Sequence, residues 1–195
     1  MNVSSGMKKI GFQQVLPVEV IKLAQQGDAD SFETIYKTYF SACYRTVYRI
    51  CNNQVVAQDI VQEIFIKVLK SVSQYQFKGS FSGWLKRIAI CAAIDHINSH
   101  NKISLVPEQD HGLLESNDLF DLNWLEACSD LTYLLNQLSV TSRAVVLLHE
   151  VEGYNHKEIS QFYQKSESFS KVTLSRAYAQ LKMLALDKEN NSAFK

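Results

Sequence analysis

Apolar residues recur at Ile60, Ile64 and Val68, with Val61, Phe65 and Leu69 one position on, so this stretch predicts a helix with one continuous apolar face. Asp59, Gln62, Glu63 and Lys67 fall off that face. By pattern alone, the simplest use of the polar side is contact with water. The same period runs along most of the chain. It predicts a short helix over Val18 to Gln26, then a longer one capped by Asp28 or Asp30 and carrying Phe32, Ile35, Tyr36, Tyr39, Phe40, Tyr44, Val47 and Tyr48. A third helix is expected over Val55 to Gln74 and a fourth from Phe81 to about Asn98. Further helices are expected near residues 120–137, 142–150, 155–163 and 168–187. Short connections between successive helices favour antiparallel or crossed packing.

The fold class is therefore all-α, with two small helical domains. We expect an N-terminal extension at 1–17, a four-helix domain at 18–102, a linker at 103–120 and a second helical domain at 121–195. Only two Pro and seven Gly interrupt the 195 residues, which suits helices better than a turn-rich β fold. The chain has no apolar run of about 18 residues, and its start lacks the apolar core of a secretory signal. A cytoplasmic protein with no membrane insertion is expected.

The net charge is zero but unevenly placed. Residues 1–102 hold twelve Lys/Arg against seven Asp/Glu, residues 103–130 none against seven, and residues 131–195 eight against six. Overall neutrality thus leaves room for a nucleic-acid partner, because clustering on one surface is what matters. The acidic middle, with Pro107 and Gly112, has the composition of an interdomain linker.

Cys43, Cys51, Cys91 and Cys128 show no C-x-x-C spacing and are expected to be reduced, buried hydrophobes. Cys91, His96 and His100 do not share a helical face, so no metal site is expected. The chain has no Gly-rich phosphate loop, G-x-S-x-G, H-E-x-x-H or paired acid and base carboxylates. Neither an enzyme nor a cofactor is expected, which leaves binding.

DIVQEIF at Asp59 to Phe65, an aromatic and Gly-bearing loop, and then WLKRIA at Trp84 to Ala89 resemble region 2 of bacterial RNA polymerase sigma factors, specifically the extracytoplasmic-function (ECF) group. Farther on, Leu134 to Leu138, Ser142 to Leu148 and Glu152 to Ile159 resemble the opening of sigma region 4, a helix-turn-helix. Leu174-Ser175-Arg176-Ala177 and Leu181 fall where its recognition helix would continue. The resemblance covers roughly residues 28 to 98 and 131 to 184.

The resemblance implies a protein that binds core RNA polymerase, at the β′ clamp coiled coil and the β flap, and directs it to promoter DNA. The positions matching the polymerase-binding helix are Asp59, Gln62, Glu63, Phe65 and Lys67. Holding bases that have left the duplex stack calls for aromatic and basic groups, and Tyr75, Phe77, Lys78, Trp84, Lys86 and Arg87 supply them near the minus-10 element. Lys171, Thr173, Ser175 and Arg176 would meet the minus-35 element. The family commonly works under an anti-sigma factor, but no residue here identifies one.

The chain also departs from the family pattern. Cys91 stands where the family has Asn and Asn98 where it has Arg. In the helix-turn-helix, Gln164 replaces Gly, Lys165 an apolar residue and Ser170 a Val. A forced left-handed residue costs on the order of 1 kcal/mol, and an unpartnered buried hydroxyl ~1 to 3 more. One remedy is a different turn at Ser166-Glu167-Ser168, capped by Ser166 or Ser168, with Phe169 and Val172 replacing the missing apolar side chains. Two alternatives stay open: a degenerate sigma-like regulator without productive promoter recognition, and a helix-turn-helix DNA-binding regulator independent of polymerase.

Overall fold

A computed structural model describes residues 11–100 and 129–192. The expected linker at 103–120, the start of the helix expected near 120, and Cys128 lie outside the described residues. Among the described residues every regular element is helical. The first four helices are α1 (Val18–Gln25), α2 (Ala29–Cys51), α3 (Gln54–Ser71) and α4 (Phe81–His100). The later ones are α5 (Ser129–Asn136), α6 (Val140–Val146), α7 (His156–Tyr163) and α8 (Glu167–Ser192). Short 3-10 turns at Gly11–Gln13 and Val72–Gln74 flank the first unit's helices, and a π-helical segment, Leu147–Val151, prolongs α6.

Local sequence sets these boundaries. Asp28 caps α2, its carboxylate accepting from the Ser31 amide at 2.8 Å. Asn52 closes the same helix in the left-handed conformation, at φ 53° and ψ 32°, and Asn53 at once caps α3 by accepting from the Val56 amide at 3.0 Å. Two asparagines thus turn one long helix into an antiparallel pair. Gln25 then donates to the Val72 and Tyr75 carbonyls at 2.9 and 2.8 Å, tying the end of α1 to the loop after α3.

Ile35, Tyr39 and Val47 of α2 meet Val61, Ile64 and Val68 of α3 and Leu85, Ile90 and Ile94 of α4 in the first core. Phe12, upstream of α1, also packs here, its ring 6.2 Å from that of Tyr39, and the Tyr39 hydroxyl donates to the Gln14 carbonyl at 2.9 Å. In the second unit, Val145, Leu148, Ile159, Leu174 and Ala177 are buried. α2 packs on α6, and α4 packs on both α6 and α7. The buried apolar residues consequently form one cluster running through both units.

Cys43, Cys51 and Cys91 are free thiols; Cys43 is buried as expected, whereas Cys51 and Cys91 are only partly so. Burial raises all three, Cys51 to about 12. Among the described residues, no group of three potential metal ligands comes together and no helix is long and apolar enough to cross a membrane.

Candidate functional site

Three surfaces carry the residues singled out in the sequence. On α3, the buried stripe of Ile60, Val61, Ile64, Phe65 and Val68 turns Asp59, Gln62, Glu63 and Lys67 outward, all four exposed. Phe65 does not join them. Its ring is buried against Tyr36, edge-on at 4.7 Å, and Phe40, stacked at 6.4 Å, so it orients the helix and offers no ring to a partner. Leu69, expected in the apolar face, is instead 55% exposed. With Ile66, 52% exposed, it adds an apolar patch to the outer face, since Gln62, Ile66 and Leu69 follow one another at helical spacing. Sequence periodicity misses this pair because α3 is apolar over more of its circumference than its neighbours can cover.

The second surface is the loop before α4 and that helix's first turns. Tyr75 is buried, its hydroxyl donating to the Gly79 carbonyl at 2.7 Å and its ring lying 5.3 Å from Phe81 and 5.4 Å from Trp84. Trp84 is half-buried in the same aromatic cluster. In this conformation both shape the loop, and Tyr75 has no free face on which a base could stack. Phe77 and Lys78 are exposed at the tip. Phe77 holds φ at 57°, a left-handed conformation that costs a non-glycine residue roughly 1 to 2 kcal/mol and that a bulky side chain seldom adopts. Gly79, at φ 90°, completes the reversal without strain. Ser80 then caps α4, accepting from the Gly83 amide at 3.1 Å. A Cβ on Gly83 would sit 2.9 Å from that hydroxyl oxygen, so the close approach favours glycine there.

Lys86 and Arg87 leave α4 toward the second unit. Lys86 forms an ion pair with Glu152, and the Arg87 guanidinium lies over the Phe162 ring at 5.1 Å from its centroid.

The third surface is α8, preceded by α7 and a turn. Asn155 and Glu158 form a reciprocal capping box at the start of α7. Gln164 ends that helix at φ 52° and ψ 40°, the left-handed conformation expected where glycine is replaced. Lys165 lays its ammonium 4.3 Å from the centroid of Phe169, and Phe169 packs on Tyr163 with ring centroids 5.1 Å apart. Helix α8 begins at Glu167, directly after Ser166. Phe169 therefore supplies an apolar contact, as expected, but Val172 is 46% exposed and does not.

Ser170 corrects the expected energetic cost. It is fully buried, but its Oγ lies 3.0 Å from His156 Nδ1, so the hydroxyl has a partner. The His156 ring stacks on His149 at 4.8 Å, and His149 Nδ1 lies 2.6 Å from Glu150 Oε1. Glu150 also accepts from the Tyr178 hydroxyl. These bonds and ring contacts link the π-helical segment, α7 and α8. The Tyr178 bond, then the His149 bond, hold the Glu150 carboxyl below its ordinary range, and the same carboxylate pushes Tyr178 up to about 12. Because the Glu150 value is depressed, its contribution is present above the ordinary carboxylate pKa and is lost as pH falls through the lowered one. Replacing His156 with Ala should lower stability by about 1 to 3 kcal/mol, because the buried hydroxyl loses its partner. Adding Ser170→Val should recover most of that. Thermal melts of both variants check this, and an unchanged His156→Ala melt counts against the bond.

Along α8, Lys171, Ser175 and Arg176 are exposed and Thr173 is half-buried, while Ser170, Leu174 and Ala177 face the core. Among the described residues, Lys171 makes an exposed i,i+4 pair with Glu167 at 3.7 Å.

Both units have counterparts among known protein families. Residues 35–103 match the Sigma-70 region 2 family and residues 129–181 the Sigma-70, region 4 family. The chain is 33% identical over 141 residues to the ECF RNA polymerase sigma factor SigE of Mycolicibacterium smegmatis, covering 69% of this chain and 53% of that protein. It is 26% identical over 177 residues to the ECF RNA polymerase sigma factor BldN of Streptomyces coelicolor, covering 87% and 66%. To the ECF RNA polymerase sigma factor SigM of Bacillus subtilis it is 26% identical over 155 residues, covering 79% and 94%. The chain thus spans less than two thirds of the first two relatives and nearly all of the third. Among solved structures, the fold resembles that of CnrH in complex with the cytosolic domain of CnrY, with a TM-score of 0.52, 19% identity, and coverage of 87% of this chain and 96% of the other.

Proposed function

Since the chain belongs to the ECF sigma factors of RNA polymerase, we propose that it binds core polymerase through the outer face of α3 and directs promoter recognition through α4 and α8. The family is not one of enzymes, and we assign the chain a binding role in the cytoplasm with no cofactor of its own. The observation that carries this is the outward face of α3, with Asp59, Gln62, Glu63 and Lys67 beside Ile66 and Leu69, in a chain that also holds a helix-turn-helix. Two carboxylates and an amide can pair with an arginine-rich coiled coil, while the two aliphatic side chains supply the dry contact that charges alone lack.

In the same proposal, the loop tip at Phe77 and Lys78, together with Lys86 and Arg87, holds the separated strand near minus-10, and Lys171, Thr173, Ser175 and Arg176 meet minus-35. Residues 18–102 are assigned to region 2, 103–120 to the linker and 121–195 to region 4, with Phe12 and Leu16 of the N-terminal extension joining the first unit's packing. An anti-sigma factor is a further proposed partner, identified by no residue here.

The test is capture of core polymerase by the full chain, followed by transcription from a library of genomic fragments. Capture with initiation supports the proposal. Capture without initiation from any fragment favours the degenerate regulator, a reading that the Cys91 and Asn98 departures motivate. Tight sequence-specific DNA binding without polymerase favours the independent helix-turn-helix regulator.

Lys171→Ala probes the helix-turn-helix directly. Its exposed pair with Glu167 contributes little to stability, so melting should not change. Promoter activity should fall, and the salt dependence of DNA binding should flatten by roughly 0.9 log units for each phosphate no longer held. Unchanged activity would remove α8 from DNA reading.

A further inference from the structure

We propose that Gln25, at the end of α1, is a positioning residue for strand separation: its amide holds the loop after α3 so that Phe77, at the tip, stands ready to stack on a displaced base. The inference rests on the promoter reading, which supplies the separated strand. Gln25 belongs to none of the three surfaces described above. It uses both of its amide hydrogens on the loop, donating to the Val72 carbonyl at 2.9 Å and to the Tyr75 carbonyl at 2.8 Å. Since both neighbours are acceptors, the amide nitrogen and not its oxygen must face them. The two carbonyls bracket the 3-10 turn, whose own bond runs from the Tyr75 amide to the Val72 carbonyl at 3.1 Å. Gln25 therefore clamps that turn at both ends from outside the loop.

A second tie is internal, the Tyr75 hydroxyl donating across the tip to the Gly79 carbonyl at 2.7 Å. Between the two ties Phe77 holds φ at 57°. A bulky residue keeps such a conformation only where its surroundings fix it, and these outliers gather at ligand clamps and active sites. Fixed in this way, the Phe77 ring lies 5.0 Å from that of Tyr75 and is 39% exposed. A buried ring braces one side of it, and the exposed remainder is the kind of surface on which an unstacked base settles. A tip free to relax would have to be ordered each time a base arrived, and that cost would be taken out of the stacking free energy. The Gln25 clamp removes it in advance, acting through Phe77 and not on the DNA itself.

Initiation by core polymerase with the full chain tests this, on the strongest promoter fragment from the genomic library, either fully paired or carrying a mismatched bubble at minus-10. Gln25→Met keeps the length of the side chain but has no hydrogen to donate. It should initiate from the paired fragment about five- to tenfold more slowly than the wild type, as expected on losing most of one stacking contact, and from the bubble within about twofold, since separation is already done. Phe77→Ala should show the same split. The double variant should be no worse than Phe77→Ala alone, because both changes act through one ring. Losses of equal size on the two templates, or losses that multiply in the double variant, make Gln25 a structural residue and overturn the inference. Wild-type initiation by Gln25→Met, with Phe77→Ala still impaired on the paired fragment, also overturns it and leaves the promoter reading intact. If Phe77→Ala initiates normally from the paired fragment, or no fragment supports initiation, the loop tip does not hold the strand and both readings fall.

Discussion

Reversing both carboxylates of the α3 face, Asp59→Lys together with Glu63→Lys, should weaken binding to core RNA polymerase by about a hundredfold or more. Both side chains are exposed and make no ion pair among the described residues, so the free protein should keep its helix content. Juxtaposing like charges in an interface costs several kcal/mol, and each 1.4 kcal/mol is about tenfold in affinity. Much of the loss should appear in the association rate and deepen at low salt, where steering acts over a longer range. Interferometry against immobilised core, alongside circular dichroism, measures both effects. Core binding that survives the double reversal at physiological salt would move the polymerase contact off this helix.

Tyr39→Ala should have the largest effect on folding. Tyr39 is 1% exposed, sits between the rings of Phe12 and Phe81, and donates to the Gln14 carbonyl. Its truncation removes a large aromatic volume at the point where the segment before α1 and the start of α4 meet α2. A loss of about 3 to 5 kcal/mol is expected, or roughly 6 to 20 °C in melting temperature for a chain of this size. Tyr39→Phe should lose only the hydrogen bond, about 1 kcal/mol. Differential scanning fluorimetry separates the two variants, and equal melts would mean that the ring contributes little beyond its hydroxyl.

The helices are legible in the sequence wherever a buried face repeats with the helical period. α2, α3 and α4 follow the expected pattern because each packs on at least two neighbours and keeps a definite inward stripe. Asp28 is legible as a cap because a short carboxylate before an apolar run has one local use. Leu69 is not legible, since a leucine at a helical position reads as core unless one knows that no neighbour reaches it. The opposite failure occurs at Tyr75 and Phe65. Aromatic residues beside a basic loop and a polar face suggest contact with a partner, yet both are consumed by packing among other rings.

Within the helix-turn-helix, the strain at Gln164 follows from the missing glycine, since that geometry is set by the backbone alone. The partner of Ser170 does not, because it lies fourteen residues away in sequence. The contact of Lys86 and Arg87 with Glu152, Tyr154 and Phe162 escapes the sequence for the same reason. Nothing local in WLKRIA indicates which part of the chain will lie against it.

The π-helical segment Leu147–Val151 sets the rotation of the chain that follows α6. Its closing bond runs from the Glu152 amide to the Leu147 carbonyl, five residues back, at 3.0 Å. Such a segment holds one residue more than an α-helical path of the same course, and each residue turns a helix by about 100°. Everything after the bulge is thus rotated relative to α6 by one step of the spiral. Glu152, the first residue beyond the segment, meets Lys86 with that phase offset in place, while Glu150 lies within the segment itself, against Tyr178. A chain shorter by one residue here would keep its composition and nearly all its hydrophobic period. Glu152 would nevertheless leave the helix about 100° away from its present direction toward Lys86.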